Sequence, residues 1–214
     1  MKKLLFVVYA LAAISLLAPS AGFAQDWENR IGIYTTPDPV DGRADVFAPT
    51  ANFPFNVYFV LTSPTFDDGS PVDQVDAFEF RVTIGPATSG IFKLSQTLWP
   101  SSLNIGTDSN PFNAEYAVGG AIPQPVANGA VLLMTWNLMV TNTSVPYYFY
   151  LNPTSAPAFP GFLAFNYPAI GINNSVLVPC TPSSGDGVTP VFALGDLTIP
   201  TEYDTFGGVK ALFR

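Results

Sequence analysis

The sequence predicts an all-β fold, built as an antiparallel β-sandwich, and three observations support that prediction. Apolar and polar residues alternate with a period of two through several segments of the 214-residue chain, as the two faces of a half-buried strand require. Turn-forming clusters rich in Pro, Gly, Asn and Asp separate these segments at intervals of about ten residues. Outside the N-terminal segment, only the short stretch 207–213 has a pattern compatible with a helix.

Three strands are predicted in the first half of the chain, at residues 53–62, 76–84 and 91–99. In the first, every second residue from Phe53 to Leu61 is apolar, and in the second the same holds from Phe78 to Ile84. In the third, Phe92, Leu94 and Leu98 are aligned on one apolar face. Each pattern is typical of a strand with one face against a core.

The second half of the chain predicts one long strand and several short ones. Residues 130–141 are apolar on nearly every position, which indicates a central strand buried on both faces. Shorter strands are predicted at residues 147–151, 162–165, 175–178 and 188–194. Residues 153–190 are richer in Pro and Gly, so this region is either a long loop or an irregular sheet edge.

The N-terminus has the pattern of a bacterial secretory signal peptide. Lys2 and Lys3 precede an apolar run from Leu4 to Leu17, and small residues follow up to Ala24. The run is shorter than the roughly 20 residues that span a bilayer, so cleavage after Ala24 is predicted rather than an uncleaved anchor. The predicted organisation is a signal peptide at 1–24, a sandwich domain at 25–200 and a C-terminal tail at 201–214, in a protein that is secreted or held at the cell surface.

Composition excludes several classes of function. The chain has no His, which removes Ser-His-Asp and Cys-His catalysis and every His-ligated zinc or haem. Without residues 1–24, sixteen acidic residues face six basic ones, and such a surface repels nucleic acid and anionic lipid. Cys180 is the single cysteine, so no internal disulfide forms. Its turn-like setting predicts a buried or free thiol in a loop, with intermolecular pairing as the alternative.

Four segments carry a resemblance to a known architecture. They are FNVYFVLT at 55–62, VDAFEFRVTI at 75–84, the segment 99–107 that contains LNIGT, and VLLMTWNLMV at 131–140. In this order they resemble the cohesin modules and carbohydrate-binding modules of secreted bacterial proteins, over about half of the mature chain. The resemblance lies in the order of strands, and it implies a cohesin-like jelly roll. The sequence has no dockerin-type calcium repeat, and the resemblance identifies no partner surface.

The C-terminal tail carries a second resemblance. Its last residues, YDTFGGVKALFR at 203–214, are similar to the aromatic-Gly-x-Val/Ile-Lys endings of exported proteins from Gram-negative-type bacteria. That resemblance implies a terminal strand or a surface-sorting tag. An ordinary packed strand or helical turn is the alternative.

Aspartates cluster in two places, at Asp38, Asp41 and Asp45 and at Asp67, Asp68, Asp73 and Asp76. Calcium takes six to eight oxygen ligands, and loops with several carboxylates supply them. Neither cluster has the ligand order of an EF-hand. The better calcium candidate is a loop site formed by Asp67, Asp68 and Asp73, against the alternative that these are solvated carboxylates of a turn. No other cofactor is predicted.

Paired carboxylates are the one catalytic arrangement that the composition permits, because two of them hydrolyse glycosidic bonds. Glu79 and Glu115 are the candidates for such a polysaccharide hydrolase. Glu79 shares a strand face with Arg81, two residues on, which indicates a surface or cross-strand ion pair instead. Because no serine has a base near it in sequence, we predict that the protein is not an enzyme and has no catalytic residue.

Aromatic residues are the remaining candidates for binding. In the run from Tyr147 to Tyr150, alternation places Tyr148 and Tyr150 on the face opposite Tyr147 and Phe149. One face packs, and the other offers flat rings on which sugars stack. Tyr148 and Tyr150 are therefore the candidate ligand-binding residues, against the alternative that a second sheet buries both faces.

These observations predict an exported, non-catalytic sandwich that acts as a binding or structural module. Its expected partners are carbohydrate or another surface protein, and not nucleic acid. Self-assembly is the further alternative, in which Ile31–Tyr34 or Val209–Phe213 pairs with the sheet edge of a neighbour.

Overall fold

The computed structural model describes residues 29–37, 46–168 and 175–195. Every regular element in these ranges is a strand, so the all-β prediction is confirmed. The predicted signal peptide at 1–24 and the tail at 201–214 lie outside the described residues. The strands are β1 (Arg30–Tyr34), β2 (Val46–Phe47), β3 (Pro54–Thr62), β4 (Gln74–Pro86), β5 (Ile91–Thr97), β6 (Ser102–Asn104), β7 (Asn113–Pro125), β8 (Ala130–Val140), β9 (Tyr147–Asn152), β10 (Leu163–Tyr167), β11 (Val176–Pro182) and β12 (Phe192–Leu194).

Strand β4 is the centre of the larger ladder. Along one edge it pairs with β7, and β6 extends the ladder beyond β7. Along its other edge, residues 77–79 pair with β10 and residues 81–86 pair with β9. Strands β12 and β2 follow beyond β9. The 13 residues of β4 therefore hold three partner strands together.

The second ladder runs β1-β3-β8-β5, with antiparallel pairing throughout. Strand β11 joins it to the first ladder, because its residues up to Cys180 pair with β10 while Thr181 and Pro182 pair with β1. The β1–β11 and β2–β12 contacts are parallel. The sheet is thus mixed, which corrects the purely antiparallel arrangement predicted from sequence. Alternation along one strand carries no information about the direction of its neighbours.

The core lies where the inward side chains of the two ladders meet. The ring of Phe59 on β3 stacks on that of Phe80 on β4 at a centroid distance of 5.6 Å. Trp136 on β8 approaches Tyr116 on β7 at 6.1 Å. All four side chains are fully buried. Since burial of an aromatic side chain contributes several kcal/mol, this cluster is a large contribution to the stability of the core.

Strand β7 and the region 153–190 depart from the sequence-based expectation. No strand was predicted at 113–125, yet β7 is as long as β4; only Ala114, Tyr116 and Val118 alternate inward, and Gly and Pro follow. Within the region 153–190, the short strands predicted at 162–165 and 175–178 are present as β10 and β11. These two strands connect the ladders, so the described residues of this region are not one long loop or an irregular sheet edge.

Cys180 also differs from its predicted setting. It lies within β11 opposite Leu163, and its side chain is buried. Burial raises the pKa of the thiol, and the nearby Glu79 carboxylate adds to that effect. The predicted loop setting is therefore wrong, because Cys180 lies in a strand. A buried, protonated thiol is inert, so a disulfide with another chain is not favoured.

Candidate functional site

The candidate site lies on the outer face of the β4–β9 pair. Residues of β9 alternate between buried and half-buried, so that Tyr147, Phe149 and Leu151 face the core. Tyr148 and Tyr150 are half-buried on the opposite face. No second layer of described strands covers them. Two positions apart on a strand, their Cα atoms lie about 7 Å from each other, close enough for both rings to contact one ligand.

The residues beside the two tyrosines are small. Tyr148 lies between Gly85 on β4 and Ala193 on β12, and Tyr150 is opposite Thr83. A Cβ atom at Gly85 would have open space around it for 4 Å. Neither tyrosine hydroxyl has a hydrogen-bond partner among the residues that the structure describes. The two rings thus border open sheet surface, and their hydroxyls are available to a ligand.

A charged group lies on the same face, two positions along β4 from Thr83. Arg81 Nη1 is 3.9 Å from Glu115 Oε1 across the β4–β7 pair, which is the cross-strand ion pair that the sequence indicated, formed with Glu115 rather than Glu79. The Nε atom of Arg81 is buried without a partner in the described part of the chain. The side chain as a whole is 35% exposed, so its terminal nitrogens, and not the buried Nε, are the polar atoms that Arg81 presents on this face.

The loop at residues 153–162, here called the strap, crosses the outer face from β9 to β10. Glu115 holds it by accepting hydrogen bonds from Ser155 N and Ser155 Oγ, both at 2.9 Å. Glu79 accepts a third bond from Ala158 N at 2.6 Å. Both candidate catalytic carboxylates therefore anchor a loop, and this contact, which depends on the path of a Pro-rich segment, was not visible in the sequence.

The structure places Asp67, Asp68 and Asp73 at the surface near the turn that precedes β4. Asp68 Oδ1 accepts hydrogen bonds from Ser70 N at 2.9 Å and from Ser70 Oγ at 2.5 Å. These two bonds lower the pKa of the Asp68 carboxyl. Within the described ranges, no group of three acidic or cysteine side chains is arranged to hold a metal ion. Asp68 stabilises the turn, and calcium binding by the three aspartates stays a prediction.

A polar network between β5 and β7 was missed by the sequence-based reasoning. Lys93 Nζ donates to Gln96 Oε1 at 2.8 Å, to Tyr116 Oη at 3.1 Å and to the carbonyl of Asp108. It also lies 5.2 Å from the centre of the Trp136 ring. The alternation of Phe92, Leu94 and Leu98 placed Lys93 on the outer face, so the sequence pattern carried no signal for this network.

The network also includes the loop after β6. Gln96 Nε2 donates to the Asp108 carboxylate, and Asn104 Nδ2 donates to the same oxygen at 3.1 Å. Burial lowers the pKa of Lys93, an effect that Asp108 opposes, and burial raises the pKa of Tyr116. Since the lysine amine has three hydrogen-bond acceptors, we assign this network to structure: it fastens the loop 105–111 to the edge strand β5.

Known proteins provide little direct comparison. No family model and no curated protein matches the chain. Among solved structures, it is similar to the cohesin module of a family 33 glycoside hydrolase from Clostridium perfringens ATCC13124, with 11% sequence identity and a TM-score of 0.44. The match covers 71% of this chain and 94% of that module. In the part of the chain that the structure describes, no helix is long and apolar enough to cross a membrane.

Proposed function

We propose that this chain is an exported, non-catalytic β-sandwich module that binds carbohydrate through Tyr148 and Tyr150. The observation that supports the proposal is the pair of half-buried rings on the outer sheet face, beside Gly85, Thr83 and Ala193. Aromatic faces provide contact area at low entropic cost, and flat rings match the apolar faces of sugars.

The chemistry around the rings favours a neutral polyhydroxylated ligand. Free tyrosine hydroxyls donate and accept hydrogen bonds, and the partly exposed side chain of Arg81 lies on the same face. The described residues carry eight acidic and three basic side chains, so polyanions are disfavoured on electrostatic grounds. Export is proposed from the pattern of residues 1–24, which would deliver the module to extracellular or surface glycans.

The test is a glycan array followed by titration calorimetry with any ligand found. We expect Tyr148→Ala and Tyr150→Ala each to weaken binding about 5- to 30-fold, because each change removes a stacking contact worth about 1–2 kcal/mol. Tyr58→Ala is the matched control, since Tyr58 is half-buried on β3 in the other ladder. Equal effects of all three variants, or no glycan bound at all, would contradict the proposal.

A further inference from the structure

A groove of about 480 Å³ opens beside the first half of β8. Its floor is formed by residues 130–135 of β8. One wall is Leu98–Pro100, from the connection between β5 and β6. The other comes from the end of β7 and the following turn, with Gln124, Pro125, Ala127 and Asn128, and Pro37 also lines the groove. The volume is in the range of sites that take small molecules or short peptide segments.

The groove exists because β5 ends early. Strand β5 pairs only with Thr135–Val140 of β8, so residues 130–134 have no described strand on that side. Trp99 lies across this open edge and donates its indole N–H to the carbonyl of Leu132 at 2.6 Å. Leu132 itself remains 38% exposed. The result is an apolar surface next to an incompletely paired strand, which is the setting in which extended peptides bind.

We propose that residues 209–213 of the same chain occupy this groove in an extended form. Val209, Ala211 and Phe213 alternate with Lys210 and Leu212, a period-two pattern that presents three apolar side chains to one surface. The groove and the tyrosine face involve different residues. The inference therefore does not depend on carbohydrate binding.

The chain is long enough to make this contact within one molecule. Leu194 and Gly195 line a small cavity together with Val140, at the end of β8 opposite the groove. Val140 and Leu132 are eight residues apart, about 27 Å along a strand. The intervening residues 196–208 span at most about 45 Å when extended. A tethered segment of this length has an effective concentration in the millimolar range, so binding within the chain is favoured over binding between chains.

Charge supports the same occupant. Residues 209–214 contain Lys210 and Arg214 and no acidic residue. The described part of the chain carries eight acidic and three basic side chains. The described residues that line the groove carry no charge themselves, so the attraction comes from the acidic molecule as a whole. A basic, alternating segment thus complements an acidic molecule with an apolar groove.

The test uses the chain from residue 25 to 214, which retains every described residue. The double variant Val209→Asp/Phe213→Asp is expected to release the groove, and a fluorescein-labelled peptide of residues 205–214 is then added. We expect the peptide to bind this variant at least tenfold more tightly than the unmodified chain, whose groove is occupied. Adding Leu132→Asp to the double variant is expected to abolish binding of the peptide. If that protein does not fold, Ala127→Glu on the groove wall replaces Leu132→Asp in the same experiment. Val188→Asp, at an exposed site outside the groove, is the control and leaves peptide affinity unchanged.

Trp99 provides a second readout. The chain has three tryptophans, so its indole N–H signals are resolved by NMR, and the Trp99 signal is expected to shift in the double variant. An unchanged Trp99 signal, or a peptide that binds neither form, overturns the inference. Oligomers of the unmodified chain that dissociate in the double variant also overturn it, because the segment would then occupy a neighbour's groove. Glycan binding at Tyr148 and Tyr150, measured in the same variants, reports separately on the proposed function.

Discussion

Lys93 shows how a single side chain reverses the orientation expected for its strand. The sequence-based interpretation aligned Phe92, Leu94 and Leu98 as the apolar face of this segment. In the structure Phe92 and Leu94 are 49% and 48% exposed, while Lys93 and Gln96 are directed between the ladders. Hydropathy alone predicts that Phe92 and Leu94 face the core and that Lys93 faces solvent. It fails here because the buried ammonium of Lys93 is stabilised by partners from distant segments, Asp108 and Tyr116.

The first prediction concerns this network. Replacing Lys93 by Met keeps the length of the side chain but removes three hydrogen bonds, so we expect the free energy of unfolding to fall by about 1–3 kcal/mol. Urea denaturation measures the change. Phe92→Thr, next to it on the exposed face, is expected to stay within about 0.5 kcal/mol. Unchanged or increased stability of Lys93→Met would show that the network does not support the fold.

The second prediction concerns the pH dependence of stability. Burial raises the pKa of Cys180 well above its ordinary value of 9.0, whereas the thiol ionises normally in the unfolded chain. The folded state therefore binds the proton more tightly, and the free energy of unfolding falls as the pH rises through 9. We expect Cys180→Ala to show a shallower decline between pH 8 and 10 in urea titrations. Lys93 and Tyr116 also have shifted pKa values, but they are present in both the unmodified chain and Cys180→Ala, so their effect cancels in the comparison. Parallel stability profiles of the two proteins would show that Cys180 does not cause the decline.

At the scale of elements, the alternation of apolar and polar residues correctly predicted which side chains of a strand share a face. It placed Tyr148 and Tyr150 opposite Tyr147 and Phe149, as observed in β9. It missed β7, where Gly119, Gly120 and Pro123 interrupt the pattern, although pairing with β4 holds this segment in a strand. The contacts of Glu79 and Glu115 with the strap could not be predicted either, since they depend on how a long connection returns across the sheet.

The third prediction concerns the strap. Glu115→Ala removes two hydrogen bonds to Ser155, and for a partly exposed group we expect a loss of about 1 kcal/mol in stability. Amide hydrogen exchange measured by mass spectrometry should rise in residues 153–162. Asn113→Ala, on the same strand without a side-chain bond to the strap, is the control. Protection of 153–162 that is equal in both variants would show that Glu115 does not hold the loop.

The fourth prediction separates anchoring from catalysis. If Glu79 and Glu115 only hold the strap, we expect no hydrolysis of polysaccharides by the purified chain, with Glu79→Gln and Glu115→Gln indistinguishable from it in a reducing-sugar assay. Turnover by the unmodified chain that either substitution abolishes would instead establish the hydrolase alternative.

At the scale of the whole molecule, the two ladders depend on one shared core. Phe59 contacts Phe80 on the other ladder and Trp136 on its own. The local sequence predicted that Phe59 and Phe80 are buried. It could not predict that they contact each other, because the two ladders are joined through the parallel pairing of β1 with β11, which is distant in sequence. The sequence also allowed Ile31–Tyr34 to pair with the sheet edge of a neighbouring molecule. In the structure one edge of this segment already pairs with β3 of its own chain.

The fifth prediction tests that shared core. Phe59→Ala is expected to lower the free energy of unfolding by about 3–5 kcal/mol, because it leaves a cavity at the contact between the ladders. Tryptophan fluorescence and far-ultraviolet circular dichroism should report one coincident transition. Phe53→Ala, at a ring that is 65% exposed, is expected to change stability by less than about 0.5 kcal/mol. Separate transitions would mean that the ladders unfold independently.

The pairing of Arg30 with Thr181 and of Ile31 with Pro182 has a consequence for the order of events during synthesis. The first described strand finds one of its partners about 150 residues later in the chain, and such distant contacts form late and slowly. Until the ribosome has passed Pro182, the edge of β1 and the apolar side chains behind it remain without their final cover. Exposed apolar surface and an unpaired strand edge favour aggregation, so we expect the yield of folded chain to depend on how quickly its last strands arrive.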